Sequence, residues 1–283
     1  MDLSDLRIFL AVAREQSVTR AAQALDRVPS NVTTRIRQLE DHLGQALFMR
    51  EHKRMTLSDA GRRLEDYAQR LLALADEAEQ ALRAAGPQGR LRLGSMESTA
   101  ASRLPLPLAR LHARWPAVEI QLRTGTTRFL ADAVASHALD CAIVAHPSAQ
   151  PPGARLDEAL GAALEGDYLF TEELLLITPP GNAAPRALAT FARGCAYRDR
   201  AEQWLRDAGE DPARLQMLEL GSYHAILACV MAGSAMAVLP RSVLDLQTLT
   251  PPSRVIGPAH CFLIRRKGQD SANYQALLSA LRD

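Results

Sequence analysis

The first sixty residues place their apolar side chains with the period of short amphipathic helices. Between Leu6 and Ala13 these side chains recur at the i, i+3, i+4 and i+7 positions of one helix face. A second short helix is predicted over Thr19–Leu25, with Thr19 as its N-cap. A third begins at Pro29, which suits a first helical turn, and ends at Gly44. Two short helices joined by a tight turn, the second with a polar outer face, predict a helix-turn-helix unit.

The following segments predict a hairpin wing and a long helix. Apolar flanks enclose a basic tip within Phe48–Leu57, as in a small hairpin. From about Ser58 to Ala84 the apolar residues of one long helix are spaced alternately by four and three. This seam consists of Leu64, Ala68, Leu71, Ala75, Ala78 and Leu82. A heptad seam favours pairing with a second copy, the alternative being a helix that packs on its own domain. The Gly-Pro-Gln-Gly run at residues 86–89 predicts a hinge.

After residue 89 strands and helices alternate, which predicts a two-subdomain α/β domain. One helix is predicted over Ser98–Arg114. Strands of the second half are predicted over Glu173–Thr178, Gly194–Tyr197 and Met236–Leu239. The predicted domains are a winged helix-turn-helix (1–58), a linker helix (59–85), the hinge (86–89) and the α/β domain (90–283). Within the last, a first subdomain takes about 90–160 and 250–283, and a second takes about 161–249.

Composition and charge fit a globular protein of more than one domain. The chain has 283 residues, of which 47% are hydrophobic and 23% charged, close to ordinary globular values. The net charge of +1 does not by itself indicate nucleic acid. Residues 27–54, however, carry six basic against three acidic side chains, which suits a surface that faces phosphates.

Neither the start of the chain nor its cysteines indicate export or a metal site. The first residues are acidic, no apolar run is long enough to span a bilayer, and a cytoplasmic location is expected. Cys141, Cys195, Cys229 and Cys261 are far apart and are expected to be buried hydrophobes. A redox pair of Cys195 with Cys229 is the alternative. No metal ligand set and no cofactor are predicted.

The head of the chain resembles the LysR-type transcriptional regulators. The runs that carry the resemblance are Arg20–Leu25, Val32–Glu40, Leu43–Gly44, Leu47–Phe48 with Arg50, and Leu57–Gly61. In the second part, Leu139–Ile143 and Val230–Pro240 are similar to segments of the family's sensor domain, although Ala235 replaces a usual glycine. The resemblance implies a regulator that binds double-stranded DNA as a homodimer or homotetramer. It also implies a sensor domain of the periplasmic-binding-protein type, in which a small molecule modulates activity.

Two departures qualify the resemblance. Pro29, Thr33 and Thr34 stand where the family often carries Gln, Ser and Arg, so typical base contacts cannot be transferred to them. The run Val28–Arg35 is instead similar to a subgroup linked to putrescine and amino-acid catabolism. Glu97–Ala101 and Ser222–His224 are also similar to that subgroup. This narrower resemblance implies an amino acid or a polyamine-derived metabolite as effector, whereas a carboxylate is expected from the chemistry of a helix start.

Polar residues of the third helix and the wing are the predicted DNA contacts. For base-edge readout the candidates are Asn31, Thr34 and Arg35. Backbone or minor-groove contacts are predicted for Ser30, Thr33, Arg37, Lys53 and Arg54. The alternative for each is a solvated polar side chain with no ligand.

The predicted effector site lies where the strands of the two subdomains end. The candidate residues are Ser98, Thr99, Thr126, Thr127, Arg198, Tyr223 and His224. Hydroxyls and free N–H groups at a helix start suit a carboxylate, and Arg198 could clamp one. The alternatives are simple N-capping by Ser98 and Thr99 and an exposed Arg198. Glu97 is a candidate to meet an amine, with an exposed acid as the alternative.

Two other classes of protein compete with a regulator. An enzyme on the same fold is disfavoured, because the sequence has no Gly-rich phosphate loop, nucleophile elbow or metal-spaced His and Cys set. A solute-binding protein would share the sensor fold. It would lack the helix-turn-helix head predicted for residues 1–60 and would normally carry an export signal.

Overall fold

The computed structural model describes residues 1–51, 54–81, 86–146, 156–181, 187–248 and 251–283. The chain divides into two compact units. The first unit is Met1–Ala84 with the short segment Ser136–Ala138, and the second is Ala85–Ala135 with Leu139–Asp283.

The first unit consists of four helices and a two-stranded hairpin. In chain order its elements are α1 (Leu3–Glu15), α2 (Val18–Ala24), α3 (Pro29–Leu43), β1 (Phe48–Glu51), β2 (Arg54–Leu57) and α4 (Asp59–Ala81). The hairpin is antiparallel, with Phe48 opposite Leu57. The predicted helices, hairpin wing and long helix are all present.

Capping residues fix where the helices of this unit begin and end. The Asp2 carboxylate accepts from the backbone N–H of Asp5 at 2.8 Å and caps α1. Thr19, the expected N-cap of α2, does not cap this helix. Ser17 has the extended backbone of a cap, and its hydroxyl accepts the N–H of Arg20 at 3.4 Å. Gly44 ends α3 with a φ of 64°, a conformation that favours glycine.

The core of the first unit fixes which faces of α3 and α4 turn outward. Val32, Ile36 and Leu39 are the buried residues of α3, and they join a cluster that includes Phe9. From α4, Ala68 is buried in the same cluster, with Leu64 and Leu72 packed against it. The first part of the predicted heptad seam therefore packs on its own unit. Leu82 lies outside the described residues.

The second unit is an α/β domain built on one continuous eight-stranded sheet with the order β4-β3-β5-β10-β6-β9-β7-β8. The elements of its first part are β3 (Gly89–Ser95), α5 (Glu97–Ser102), α6 (Pro105–Arg114), β4 (Val118–Thr124), α7 (Thr127–Ala135) and β5 (Cys141–Ala145). Those of its second part are α8 (Leu156–Leu160), β6 (Leu164–Ile177), β7 (Ala187–Thr190), α9 (Ala196–Asp207), β8 (Gln216–Glu219), α10 (Tyr223–Met231), β9 (Met236–Pro240), α11 (Arg241–Leu244), β10 (Ser253–Arg266) and α12 (Ala272–Arg282).

Two long antiparallel strands, β6 and β10, belong to both halves of this sheet. One end of β10 pairs with β5 of the first half, and one end of β6 pairs with β9 of the second half. The strands β6 and β10 pair with each other along their whole length, from Ser253 opposite Ile177 to Arg266 opposite Leu164, with irregularities of register at Val255/Gly257 and Cys261/Phe262. The change of subdomain predicted near residue 161 therefore comes just ahead of a strand that runs through both halves.

Two sequence predictions in this unit are wrong. Gly194–Tyr197 is not a strand: Gly194 has a φ of 87°, and α9 begins at Ala196. The strand of that region is β7, whose four residues are all buried. The single helix predicted over Ser98–Arg114 is divided into α5 and α6, because Pro105 at the start of α6 cannot continue a helix. Strands predicted over Glu173–Thr178 and Met236–Leu239 correspond to parts of β6 and β9.

The predicted hinge is bonded to the second unit at its carboxyl end. The backbone N–H of Gln88 donates to Asn273 Oδ1 at 3.0 Å, and Asn273 Nδ2 donates back to the Gln88 carbonyl at 3.0 Å. A Cβ at Gly86 would lie 3.5 Å from the ring of Trp115. Gln88 is thus tied to α12, Gly86 is exposed, and Gly89 already belongs to β3.

Candidate functional site

The outer face of α3 carries most of the predicted DNA contacts. Because Val32, Ile36 and Leu39 turn toward the core, the polar residues between them turn to solvent. Exposed on this face are Ser30, Asn31, Thr33, Thr34 and Arg37. Arg54 is exposed on the hairpin wing, whereas Lys53 lies outside the described residues. The site therefore presents hydroxyl, amide and guanidinium groups on one helix.

Arg35 differs from its neighbours because it is bound to α1. Its guanidinium lies 3.2 Å from Asp2 and 3.2 Å from Asp5, the two residues that cap α1. A hydrogen bond from the backbone N–H of Asp5 is the main cause that holds the pKa of Asp2 below its ordinary value. The charge of Arg35 lowers this pKa further. In the structure these ion pairs join α3 to α1, and the predicted role of Arg35 in base readout stays a prediction.

Two other residues of the α3 face have internal partners. The hydroxyl of Thr33 donates to the backbone carbonyl of Pro29 at 2.9 Å. Arg27 donates to Asn31 Oδ1 at 3.5 Å and to the hydroxyl of Ser4 at 3.3 Å. These bonds fix the start of α3 and orient Asn31.

In the second unit, three consecutive residues at the start of α5 carry buried oxygens that make no hydrogen bond of normal geometry within the described residues. They follow β3 directly, at the carboxyl end of that strand. Ser98 and Thr99 are buried, and neither hydroxyl makes a hydrogen bond of normal geometry within the described residues. The same holds for Oε2 of Glu97. Since buried polar groups in proteins are nearly always hydrogen-bonded, this row of oxygens calls for an explanation.

Two buried tyrosines from the second half of the sheet face this row. Tyr197 is the second residue of α9 and Tyr223 is the first residue of α10, and burial raises the pKa of each phenol well above its ordinary value. The Ser98 hydroxyl lies near enough to both to offset part of that rise. Burial also raises the pKa of Glu97, against the opposing effects of the Tyr223 backbone N–H and of His224.

The residues predicted on α7 are brought to the same region but have internal partners. Thr126 accepts the backbone N–H of Phe129 at 3.5 Å and so caps α7. The buried hydroxyl of Thr127 lies 3.4 Å from the Ala145 carbonyl. The next residue, Arg128, donates its backbone N–H to the carbonyl of Gly194 at 3.0 Å, which joins α7 of the first half to the loop before α9.

Arg198 does not face the row of oxygens as a free clamp. The Arg198 guanidinium is buried between two carboxylates, with Glu202 at 2.9 Å and Glu219 at 2.6 Å, and it also donates to the Phe191 carbonyl. Ion pairing with both carboxylates raises the pKa of Arg198, against the opposing effect of burial. Its donors are directed to partners within the second half, and a role for Arg198 in effector binding stays a prediction.

Comparison with known proteins identifies the family. Residues 84–283 match the model of the LysR substrate binding domain, and residues 3–62 match that of the bacterial regulatory helix-turn-helix protein, lysR family. The chain belongs to the LysR family of transcriptional regulators.

Curated relatives are similar over most of this LysR-family chain. It is 38% identical over 251 residues to the uncharacterised HTH-type transcriptional regulator YusT of Bacillus subtilis (strain 168), covering 87% of this chain and 81% of that protein. It is 34% identical over 253 residues to the HTH-type transcriptional regulator GltR of the same organism, covering 86% and 81%. These relatives are regulators, and this chain is a DNA-binding regulator with an effector-binding domain, not an enzyme.

Solved structures show the same fold. A full-length OxyR variant from Pseudomonas aeruginosa matches with a TM-score of 0.69 at 22% identity, covering 100% of this chain and 98% of that chain. The LysR-family regulator CbnR matches with a TM-score of 0.68 at 22% identity, with the same coverage. CbnR in complex with its target DNA also matches, with a TM-score of 0.68 at 21% identity, covering 100% and 99%.

Sequence reasoning missed an ion pair beside the LysR effector domain's row of oxygens. Arg103, directly after α5, donates from Nε to Glu172 Oε1 at 2.6 Å, and its guanidinium lies 4.6 Å from the centre of the Phe170 ring. Glu172 is buried in the middle of β6. The signal available in the sequence was Glu172, a glutamate that directly precedes the apolar end of a strand. Nothing in the sequence indicated that Arg103 is its partner.

Two of the four thiols of this regulator, Cys141 and Cys261, are buried and poorly reactive, whereas Cys195 and Cys229 are partly exposed. Burial raises the pKa of Cys261 to about 12, and it raises the pKa of Cys141 further. Within the described ranges, no group of His, Cys, Asp and Glu is placed to hold a metal ion. No helix among the described residues combines the length and the apolar character that a membrane span requires.

Proposed function

We propose that this regulator responds to a small zwitterion of the amino-acid type bound between the two halves of its sheet. The observation that carries the proposal is the pair of buried oxygens without partners at Glu97 and Thr99, on either side of the buried Ser98 hydroxyl, whose neighbours are the phenols of Tyr197 and Tyr223. Buried groups in this state lose the hydrogen bonds that they had in water. A polar ligand that restored those bonds would be stabilised by the same amount.

The chemistry of the row supports a ligand with both an amine and a carboxylate. Glu97 is the acidic member, and an ammonium group would favour its charged form. The hydroxyls of Ser98 and Thr99 can donate to a carboxylate, and His224 stands opposite at the start of α10. The resemblance to regulators of putrescine catabolism agrees with an amino acid or a polyamine-derived metabolite, and a simple carboxylate would use only the hydroxyls.

Contacts between the two halves supply the conformational readout. The Arg128 N–H bonds the Gly194 carbonyl, the Ser102 hydroxyl lies 3.2 Å from that of Ser242, and Arg103 pairs with Glu172. A ligand changes activity only if it binds two conformations with different affinity. We propose that the effector acts by changing how these contacts hold the halves together.

The DNA site is proposed to be the outer face of α3 with the wing. Asn31 and Thr34 would read base edges, and Ser30, Thr33, Arg37, Lys53 and Arg54 would contact the backbone. Arg35 would act indirectly, since its pairing with Asp2 and Asp5 fixes the reading helix.

The assembly is proposed to be a homodimer, or a homotetramer of dimers, paired through α4. An exposed apolar stripe runs along this helix at Tyr67, Leu71, Leu74 and Ala78, with exposed fractions of 60%, 41% and 50% for the first three. Their spacing alternates by four and three, the rhythm of a paired helix. The stripe includes Leu71 and Ala78 of the predicted seam. It contains Tyr67 and Leu74 in place of the seam residues that pack against the core of the first unit.

Calorimetry with a panel of amino acids, putrescine and short carboxylates tests the effector site. Thr99→Val removes one buried hydroxyl at nearly constant volume, and it should weaken the best ligand of the panel about fivefold or more, the scale of one lost hydrogen bond. Glu97→Gln should weaken ligands with an amine and spare simple carboxylates.

Thr127→Val is the matched control, because it removes a buried hydroxyl that already has a partner. It should lower thermal stability and leave effector affinity unchanged. Binding that survives Ser98→Ala, Thr99→Val and Glu97→Gln together would place the effector elsewhere in the domain.

A further inference from the structure

The helix that carries the proposed DNA contacts begins with an exposed apolar residue. Val28 is 63% exposed and stands at the N-cap of α3, next to Pro29. Its backbone is extended, with φ −82° and ψ 142°, so its side chain lies outside the helical turn. Its carbonyl accepts the N–H groups of Asn31 at 3.0 Å and Val32 at 3.3 Å, which fixes the residue in place.

Valine at this position is a poor choice for helix stability. Ser, Thr, Asp and Asn are strongly preferred at N-caps, because their side chains accept a free N–H of the first turn. In the described part of the first unit the other helices have such a side chain: Asp2 for α1, Ser17 for α2 and Ser58 for α4. The helix α3 begins with no side-chain cap. Local rules are most often broken at functional sites.

The chemistry of the major groove supplies a partner for an exposed isopropyl group. In helix-turn-helix proteins the amino-terminal residues of the reading helix contact base edges. Among the groups displayed in the major groove, the C5-methyl of thymine is the apolar one, and small apolar side chains contact it. A capping hydroxyl or carboxylate at residue 28 would be directed to its own helix and could not replace this contact.

We propose that Val28 is a specificity-determining residue, which selects thymine by packing its side chain against the C5-methyl group in the major groove. The proposal rests on the proposed role of α3 as the reading helix. Arg27 stands beside Val28 and is held by Ser4 and Asn31, so a charged side chain borders the contact. In a dimer each half-site would contain one such thymine.

The test uses the full chain and the DNA duplex that it selects from a random pool. Each thymine of the duplex is replaced in turn by deoxyuridine, which removes only the methyl group. With the unaltered protein, one thymine in each half-site should show a loss of affinity of about fourfold, the effect of one methyl-sized group removed from water. With Val28→Ala the same replacement should have almost no effect.

Two further variants separate the contact from folding. Val28→Ser introduces a capping hydroxyl and should raise the midpoint of thermal unfolding by about 2–4 °C while it weakens DNA binding. Leu43→Ala is the control: Leu43 is 37% exposed at the opposite end of α3, and its loss should leave the thymine dependence unchanged.

Asn31→Ala distinguishes failure of this proposal from failure of the proposed DNA interface. Suppose that Asn31→Ala weakens DNA binding, and that at every thymine deoxyuridine lowers the affinity of Val28→Ala by the same factor as that of the unaltered protein. The two changes are then independent, and Val28 does not contact a methyl group. If Asn31→Ala and Val28→Ala both leave affinity unchanged, α3 is not the reading helix, and both proposals are overturned.

Discussion

The ion pair between Arg103 and Glu172 is expected to hold the two halves of the effector domain together. Arg103 follows α5 of the first half. Glu172 lies in β6, one of the two long strands that run through both halves. Arg103→Met keeps much of the side-chain volume but removes the partner of a buried carboxylate. Such a carboxylate has lost its hydration and is costly when left unpaired.

The structure sets the magnitude of this change. Breaking a wholly buried ion pair costs about 3–5 kcal/mol. The Arg103 side chain is 40% exposed, so water can reach the vacated position and the cost should fall to about 2 kcal/mol. Glu172→Gln keeps an acceptor for Arg103 Nε and should cost only about 1 kcal/mol.

Urea unfolding followed by tryptophan fluorescence measures this cost in the right domain. Both tryptophans of the chain, Trp115 and Trp204, lie in the second unit. The control is Arg241→Met, because Arg241 pairs with Glu173, the neighbour of Glu172, and both partners are well exposed. It should change the free energy of unfolding by less than about 0.5 kcal/mol. Equal, small losses for Arg103→Met and Arg241→Met would refute the reasoning.

Three further outcomes are expected. Arg35→Ala should lower the thermal stability of the DNA-binding unit as well as operator affinity, whereas a pure base contact would leave calorimetric unfolding unchanged. Leu74→Glu should dissociate the dimer in light scattering, and Gln69→Glu, at another exposed position of α4, should not; unchanged mass for both would exclude the stripe. Because the folded-state pKa of Glu97 is raised, its stabilising contribution is present below pH 4.5 and is lost as pH rises through the folded value. The Glu97→Gln variant should therefore lose less free energy of unfolding than the unaltered protein as the pH rises through this range. Identical pH profiles of the two proteins would contradict the raised pKa of Glu97.

The sequence predicted the elements whose signal is periodic apolar burial. The helices α1, α3 and α4 each bury one face, and the wing and the strand β5 follow equally simple patterns. The strand β7 was missed because its short apolar run is followed by a turn at Gly194 and by a buried helix start of similar composition. Hydrophobicity alone does not separate two adjacent buried segments of that length.

The strands β6 and β10 show a second limit of sequence reasoning. Each reads as an ordinary strand, and no residue marks that it runs through both halves of the domain. Their sharing depends on pairing between residues about ninety positions apart, as between Thr171 and His260. Long-range register is set by tertiary packing, so the sequence indicated two subdomains but not the strands that join them.

The arginines at 35 and 198 show why a polar residue in the right place is weaker evidence than a buried oxygen without a partner. Both stand where the motif or the strand end favours a ligand, and both are bound to carboxylates of their own chain: Asp2 and Asp5 for Arg35, Glu202 and Glu219 for Arg198. A guanidinium has five donors and finds acceptors within a folded protein as readily as in a ligand. The Thr99 hydroxyl is different, because burial has removed water without supplying a partner within the described residues. Such a deficit can be made good by a ligand, and this gives the effector site a physical argument that the arginines lack.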